Sequence, residues 1–253
     1  MFSVERIQAG LNTEFLGREV KYLDITSSTN DDAWDCFQNQ NPEGSLIITN
    51  HQYQGRGRRK SKWSSTKGKS LTFSFMLRPE MDLEKLSLLP LLTGVSIIKG
   101  IYSMTNILCG LKWPNDIMIS REKMGGILIE SRTMDKKVGV VIGIGLNINE
   151  LEADIPNALQ GHATSLQIDS GEEFSLELIL SSILNEFENL YLNNWHDIIP
   201  QWQEFCIHKN DKVTFHINEK LHSGIFLGIT DSGHAKIQVN GKMEKFSAGM
   251  VTL

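Results

Sequence analysis

The sequence has few cysteines and few prolines, and each shortage excludes a class of protein. Its three cysteines, Cys36, Cys109 and Cys206, are widely spaced among 253 residues and form no Cys-x-x-Cys motif. Neither a disulfide framework nor a zinc site is expected, and the thiols are predicted to be buried and free. Six prolines are too few for a long linker, so the chain is predicted to be compact throughout.

Long apolar runs and an excess of positive charge are also missing. No segment has the roughly 20 uninterrupted apolar residues of a membrane span, and residues 1–10 lack the basic-then-apolar order of a secretory signal. A cytoplasmic protein without a membrane partner is therefore expected. The formal net charge of -5 argues against a general nucleic-acid binder, since affinity for a phosphate backbone needs many exposed cations.

Positive charge is instead concentrated in residues 54–65, which we call the basic loop. Its sequence is Gln-Gly-Arg-Gly-Arg-Arg-Lys-Ser-Lys-Trp-Ser-Ser. Gly55 and Gly57 let the backbone turn and approach a ligand closely, and the guanidinium groups of Arg56 and Arg58 suit bidentate binding of phosphate or carboxylate. The loop is interpreted either as an anion site or as a solvated basic turn or nucleic-acid patch.

Hydrophobic periodicity predicts a chain of both helices and strands. Strands are predicted at residues 45–49, 71–77, 117–119, 127–129 and 138–146, and helices at 31–39, 82–105, 176–191 and 198–207. Pro90 is expected to kink or divide the second helix. After residue 210 the pattern changes to short strands at 212–217, 221–227, 235–239 and 243–246, with an Asn-Gly hairpin signal at 240–241.

Several motifs occur together in an order that resembles the biotin protein ligases. They are Ser28-Thr29-Asn30, the basic loop, Lys112-Trp113-Pro114-Asn115-Asp116, Lys123-Met124-Gly125-Gly126 and Gly143-Ile144-Gly145-Leu146-Asn147. The resemblance runs from about residue 22 to the C-terminus. It implies an α+β fold over residues 1–208, with a mixed or antiparallel sheet covered by helices as in class II aminoacyl-tRNA synthetases. A small SH3-like β-barrel is implied over residues 209–253.

The resemblance also implies an activity. A biotin protein ligase uses ATP and Mg²⁺ to form biotinyl-5'-adenylate, releases pyrophosphate, and transfers biotin to a lysine of a biotin carboxyl carrier protein, the biotin-accepting domain of a carboxylase such as acetyl-CoA carboxylase. Ser28 falls too early for a winged-helix DNA-binding domain before it, so a monofunctional enzyme that does not bind DNA is expected, as a monomer or homodimer. The alternatives are a lipoate or octanoate ligase or transferase of the same fold, and a non-enzymatic RNA-binding module.

Site residues are carried over by motif position. Arg56 and Lys123 resemble the two cations that hold the biotin carboxylate and the α-phosphate, and with Asp116 they form the expected catalytic set. The expected biotin-binding set is Ser28, Thr29, Asn30, Gln52, Gly55, Arg56, Gly57, Arg58, Lys123, Gly125, Gly126, Gly143 and Gly145. The expected nucleotide-binding set is Arg56, Arg58, Trp63, Lys112, Asn115, Lys123 and Asn147.

Several roles have more than one interpretation. Asp116 orients or deprotonates the acceptor lysine, binds Mg²⁺ through water, or belongs only to a rigid turn at Trp-Pro; no other metal ligand is expected. Asn147 contacts the nucleotide or is structural, and Trp63 covers the loop or, as we favour, anchors its strand. Arg59, Lys60 and Lys62 are expected at the rim. Met250 stands where many relatives are expected to carry a glutamate, which puts a nucleotide contact from the tail in doubt.

Overall fold

The computed structural model describes residues 2–134, 137–217, 220–247, 249, 251 and 252. The helices are α1 (Val4–Ala9), α2 (Thr29–Gln38), α3 (Leu83–Thr105), α4 (Leu166–Ser170), α5 (Leu176–Asn193) and α6 (Ile198–Phe205). The strands are β1 (Val20–Leu23), β2 (Leu46–Thr49), β3 (Gly55–Arg56), β4 (Lys62–Trp63), β5 (Ser70–Leu77), β6 (Gly110–Lys112), β7 (Asp116–Ile119), β8 (Glu122–Met134), β9 (Lys137–Asn147), β10 (Lys212–Ile217), β11 (Lys220–Ile229), β12 (Ala235–Val239), β13 (Lys242–Phe246) and β14 (Val251–Thr252).

Seven of these strands form the main sheet, in the order β1-β2-β5-β9-β8-β7-β6. The β1–β2 pair is parallel, while the other neighbours run antiparallel, which confirms the predicted mixed sheet. Strands β7, β8 and β9 form a meander. The basic loop lies between β2 and β5. Within it, β3 and β4 form a short antiparallel pair in which Gly55 is opposite Trp63.

The two faces of the sheet differ in chemistry because side chains alternate along each strand. On β5, Phe73 and Phe75 are fully buried in the large hydrophobic core beneath α3 and α5. Thr72 and Ser74 lie on the opposite face, which α2 and the basic loop cover. The helices therefore supply stability on one side of the sheet and leave the other side for a ligand.

Helix α3 continues through Pro90 and is not divided there. A proline inside a helix removes one backbone hydrogen bond, and here the apolar face of the helix is held against the core by Leu89, Leu92 and Ile98. By length and composition, residues 84–105 would be apolar enough to cross a membrane. Most of this segment is buried against the protein itself, as is usual for the central helix of a core.

The C-terminal strands form a separate antiparallel sheet in the order β13-β12-β11-β10-β14. This confirms the four predicted short strands and adds β14. The sheet packs against the main domain, where the Trp113 indole donates to the carbonyl of Gly233 at 3.1 Å. The predicted boundary at residues 208–209 falls between α6 and β10. Met250 lies outside the described residues.

The cysteines are free, as predicted, although only two are buried. Cys36 and Cys109 are buried, whereas Cys206 is partly exposed and lies 3.4 Å from Nδ1 of His208. Burial raises the pKa of the Cys109 thiol to about 12 and that of Cys206 to about 11. Since the thiolate is the reactive form, neither cysteine is suited to nucleophilic chemistry.

Candidate active site

A cavity of about 330 Å³ opens on the face of the main sheet opposite α3 and α5. Helix α2, the basic loop and the turn after β6 form its walls. The lining residues are Ser28, Thr29, Asn30, Gln52, Arg56, Gly57, Arg58, Arg59, Ser61, Lys62, Trp63, Thr72, Trp113, Pro114, Asn115, Asp116, Lys123, Gly126, Ile127, Leu128, Gly143, Ile144, Gly145, Gly249 and Val251. The cavity therefore gathers most of the predicted site residues from five separate motifs.

The floor of the cavity consists of two rows of residues that run across three strands. In the Ser74 row, Gly143 on β9 lies between Leu128 on β8 and Ser74 on β5. In the Thr72 row, Gly145 lies between Gly126 and Thr72. Residues two apart on a strand are separated by about 7 Å, which sets the distance between the rows.

Both central glycines are required by close contacts. A Cβ at Gly143 would collide with the side chain of Asn30, and one at Gly145 would collide with the indole of Trp63. A glycine in a strand often marks such a close approach. Trp63 therefore packs over the floor of the cavity from its place in β4, the strand that we expected it to anchor.

A buried polar cluster covers the Ser74 row. The Thr29 backbone N–H donates to the side-chain oxygen of Gln52 at 2.8 Å, and the hydroxyls of Thr29 and Ser74 lie 2.7 Å apart. The Ser74 hydroxyl in turn donates to the amide oxygen of Asn30 at 2.7 Å. These groups begin α2 or face it, so this end of the cavity offers several directed donors and acceptors in a small space.

Arg56 lies above the cavity and is held by two carboxylates. Its guanidinium makes a bidentate pair with Asp31, at 2.5 and 2.6 Å, and lies 3.8 Å from Glu130. The Asp31 carboxylate raises the pKa of Arg56, and Arg56 lowers the pKa of Asp31. Glu130 also accepts from the amide of Asn30 and the indole of Trp34, at 3.1 and 3.2 Å. Neither acid was predicted, because partners so distant in sequence leave no local pattern.

Asp116 lies between two lysines at the opposite wall. Lys123 Nζ is 2.5 Å from one carboxylate oxygen, and Lys112 Nζ is 3.2 Å from the other. Each carboxylate oxygen is therefore paired with an ammonium group. This arrangement favours a role for Asp116 in orienting Lys123 over a role as a proton acceptor. Among the described residues, no group of three histidine, cysteine or acidic side chains is placed to hold a metal ion.

The predicted turn at Trp113-Pro114 is confirmed, with a cis peptide bond between the two residues. It directs Asn115 toward the basic loop, where the Asn115 amide oxygen accepts from Arg58 at 3.2 Å. The Asn115 amide nitrogen donates to the carbonyl of Ile127 at 2.8 Å, which fixes the side chain. Burial and the neighbouring Arg59 lower the pKa of Arg58 below its ordinary value.

Four predicted residues do not line the cavity. Gly125 faces Leu146 because it alternates with Gly126, and Gly55 is packed against the Trp63 backbone. Lys112 reaches the cavity only through Asp116, and the Asn147 amide donates to the carbonyl of Thr164 at 3.0 Å. Conversely, Arg59 and Lys62 line the cavity, although both were expected at the rim. The side chain of Lys60, expected there too, is not among those that the structure describes.

Several lining residues were missed by sequence analysis. They are Ser61, Thr72, Trp113, Pro114, Ile127, Leu128, Ile144, Gly249 and Val251. Thr72 could have been found, since Ser70, Thr72 and Ser74 form a polar stripe on an otherwise apolar strand. Gly249 and Val251 come from the C-terminal region, and their approach depends on how the small sheet packs on the main domain.

Comparison with known proteins agrees with this geometry. Residues 22–147 match the model of the biotin/lipoate A/B protein ligase family. The bifunctional ligase/repressor BirA of Bacillus spizizenii is 33% identical over 99% of this chain and 79% of its own length. The biotin–[acetyl-CoA-carboxylase] ligase of Mycobacterium tuberculosis is 27% identical over 92% of this chain and 88% of its own length.

Solved structures show the same fold. The biotin protein ligase of Aquifex aeolicus, solved with biotin and ATP, superposes with a TM-score of 0.76 at 24% identity, over 93% of this chain and 98% of that one. The fold is thus that of the biotin protein ligases, an α+β catalytic domain followed by a small antiparallel sheet. The identity to the Bacillus relative establishes more than the fold: the chain belongs to the biotin/lipoate A/B protein ligase family, on the branch of the biotin protein ligases.

Proposed function

We propose that this chain activates biotin with ATP as biotinyl-5'-adenylate and transfers it to a lysine of a biotin carboxyl carrier protein. The observation that carries the proposal is the division of one cavity into two chemically different ends. The amide and hydroxyl cluster over the Ser74 row suits the ureido head of biotin, and Lys123 and Arg58, near Gly126 of the Thr72 row, suit a carboxylate and a phosphate.

In the first half-reaction, a carboxylate oxygen of biotin attacks the α-phosphorus of ATP and pyrophosphate leaves. Negative charge gathers on the phosphate oxygens, so the protein contributes mainly position and electrostatic stabilisation. Arg56 and Lys123 stand on opposite sides of the cavity to supply it. Both now contact carboxylates, Asp31 and Asp116. Arg56 exchanges Asp31 for the ligand, whereas the Lys123 ammonium has three donors and binds the ligand while it stays paired with Asp116.

In the second half-reaction, the amine of the acceptor lysine attacks the acyl carbon, and AMP leaves with the bonding electrons. Arg58 and Trp63 cover the cavity from the basic loop and exclude water that would hydrolyse the mixed anhydride. Asp116 keeps Lys123 directed at the reacting group. A direct role for Asp116 as the base is disfavoured by the two ammonium groups on its oxygens.

Magnesium takes part in this scheme as the Mg²⁺ complex of ATP, in which the ion neutralises negative charge on the phosphates. Water-mediated binding by Asp116 is disfavoured for the same reason as its role as base. We further infer a cytoplasmic enzyme, monomeric or dimeric, that acts without DNA. The last inference is supported by the net charge of -5, since duplex binding relies on an excess of exposed cations.

The two alternatives are less well supported. A lipoate ligase shares the family model, yet the Mycobacterium relative and the Aquifex structure are biotin ligases by name. An RNA-binding module would present its aromatic side chains for stacking on bases. Trp63, the aromatic residue of the basic loop, instead packs on Gly145 inside the cavity.

Mass spectrometry of the acyl-adenylate tests the proposal. The protein is incubated with ATP, Mg²⁺ and either biotin or lipoate, and the products are analysed before and after addition of a carrier domain. We expect biotinyl-adenylate with biotin and its disappearance when the carrier lysine becomes biotinylated. Formation of lipoyl-adenylate in preference to biotinyl-adenylate, or of neither, would contradict the proposal.

A further inference from the structure

Two buried hydrogen-bond donors in the cavity lack partners. Among the residues that the structure describes, neither the indole Nε1 of Trp63 nor the hydroxyl of Thr72 is within hydrogen-bond reach of an acceptor. Leaving a buried donor unpaired is destabilising, so two such donors in one cavity indicate that a ligand supplies their partner. Neither group takes part in the roles described above, which used Trp63 only as a cover.

These two donors flank the same point on the floor. Thr72 and Gly145 are opposite each other on β5 and β9, so their Cβ positions are about 5 Å apart. A Cβ built on Gly145 would lie 2.7 Å from Nε1 of Trp63. The indole N–H and the hydroxyl are thus both beside Gly145, within the Thr72 row.

A third donor ends the same row on its other side. Gly126 is opposite Gly145 on β8, and a Cβ built on it would lie 3.5 Å from Nζ of Lys123. The Thr72 row therefore presents one ammonium group and two neutral donors along a single line across the sheet. An indole N–H can only donate, so the ligand atom that pairs with this row is an acceptor.

Position along the strands identifies that acceptor. The polar cluster for the ureido head lies over the Ser74 row, about 7 Å away. A ligand whose head rests there reaches the Thr72 row with its carboxyl end. Lys123, at the Gly126 end of the row, is expected to contact that carboxyl group and the α-phosphate. The Thr72 hydroxyl and the Trp63 indole N–H then face the carboxyl oxygens from the opposite end of the row.

We propose that the Thr72 hydroxyl and the Trp63 indole N–H donate to the acyl oxygen of the adenylate and stabilise the oxyanion formed during transfer. When the lysine nitrogen adds to the acyl carbon, the carbonyl π electrons move onto this oxygen. The oxyanion then reforms the double bond, the bond to the AMP oxygen breaks, and the nitrogen loses a proton to solvent. This inference rests on the proposed function and assigns it two further catalytic groups.

The test measures transfer separately from activation. Purified biotinyl-adenylate is bound to the enzyme, and single-turnover transfer to a carrier domain is followed in the wild type, Thr72→Val, Thr72→Ser and Trp63→Phe. Removing one preorganised oxyanion donor costs about 10²-fold in rate. We expect Thr72→Val to slow transfer by about that factor, Thr72→Ser to restore it, and Trp63→Phe to slow it similarly.

A matched control lies in the same row. Thr49 is opposite Thr72 on β2 and equally buried, but its hydroxyl donates to the carbonyl of His51 at 2.9 Å. Thr49→Val therefore repeats the substitution at a neighbouring buried site, and its transfer rate should remain near that of the wild type. If Thr72→Val does not fold, Trp63→Phe decides, because that variant keeps an aromatic ring over Gly145 while it removes the N–H donor together with the five-membered part of the indole.

The outcomes separate this inference from the proposed function. A wild type that forms no adenylate would refute the function itself. A wild type that is active, with transfer unchanged in both Thr72→Val and Trp63→Phe, would refute only the oxyanion donors. An increase in the KM for ATP with unchanged transfer would assign the donors to a nucleotide oxygen and would equally overturn the inference.

Discussion

Removing the ion pair between Arg56 and Asp31 is expected to strengthen substrate binding, whereas the loss of an ion pair in an active site usually weakens it. Asp31 occupies both terminal nitrogens of the guanidinium, at 2.5 and 2.6 Å. A bidentate substrate carboxylate needs the same nitrogens, so it competes with Asp31. The variant Asp31→Asn is therefore expected to lower the KM for biotin and leave kcat unchanged.

The exposure of the pair fixes the size of this effect. The side chains of Arg56 and Asp31 are 40% and 46% exposed, so water screens their interaction. Exposed ion pairs contribute about 0.2–1 kcal/mol, and a bidentate pair belongs in the upper half of that range. A gain of about 0.5–1 kcal/mol in binding corresponds to a decrease in KM of roughly twofold to fivefold.

Biotin-dependent exchange of pyrophosphate into ATP measures both constants for the variant. Asp35→Asn serves as the control, because Asp35 lies one turn further along α2, is exposed, and makes the same change in charge. A decrease in kcat for Asp31→Asn, with KM unchanged or raised, would refute the competition. It would show instead that Asp31 orients Arg56 for catalysis.

Three further predictions follow from other parts of the molecule. Lys123→Ala and Arg56→Ala should each lower pyrophosphate exchange by roughly two to three orders of magnitude with an unchanged Tm, and near-normal exchange would contradict their roles. Trypsin should cut residues 54–65 more slowly with saturating biotin and ATP, because an anion offsets the repulsion among the cations; equal rates would exclude closure of the loop. Burial raises the pKa of Glu150 from 4.5 to about 7, so the fold favours the protonated acid and loses stability as the pH rises between these values. Glu150→Gln should therefore raise the Tm more at pH 8 than at pH 5, and an equal shift at both would contradict this account.

Strands and helices with a clear apolar period were predictable from sequence. Helix α5 and strand β5 agree with their predicted bounds to within two residues, since their apolar residues repeat at the period of each element. Strand β8 was predicted at residues 127–129 and covers Glu122–Met134. Its ends carry polar residues and glycines, and backbone pairing with β7 and β9 holds them in the sheet without an apolar signal.

The site was predictable only where a motif names its residues. The resemblance brought Arg56, Lys123 and Gly143 to one cavity, yet it could not tell which of Gly125 and Gly126 faces the ligand. That choice follows from the alternation of β8, which places Gly126 on the side of Leu128 and Glu130. The partner of Arg56 was beyond sequence reasoning, because Asp31 is 25 residues away and nothing local links the two.

Isotope transfer tests the central claim most directly, namely that a carboxylate held between Arg56 and Lys123 attacks the α-phosphorus. Biotin with both carboxyl oxygens labelled with ¹⁸O is incubated with the enzyme, ATP, Mg²⁺ and a carrier domain, and the AMP is examined by mass spectrometry. The account predicts that each AMP carries one ¹⁸O atom and that the biotinylated carrier retains the other. Unlabelled AMP alongside biotinylated carrier would contradict it, because biotin would then have been activated at another phosphorus or by another route.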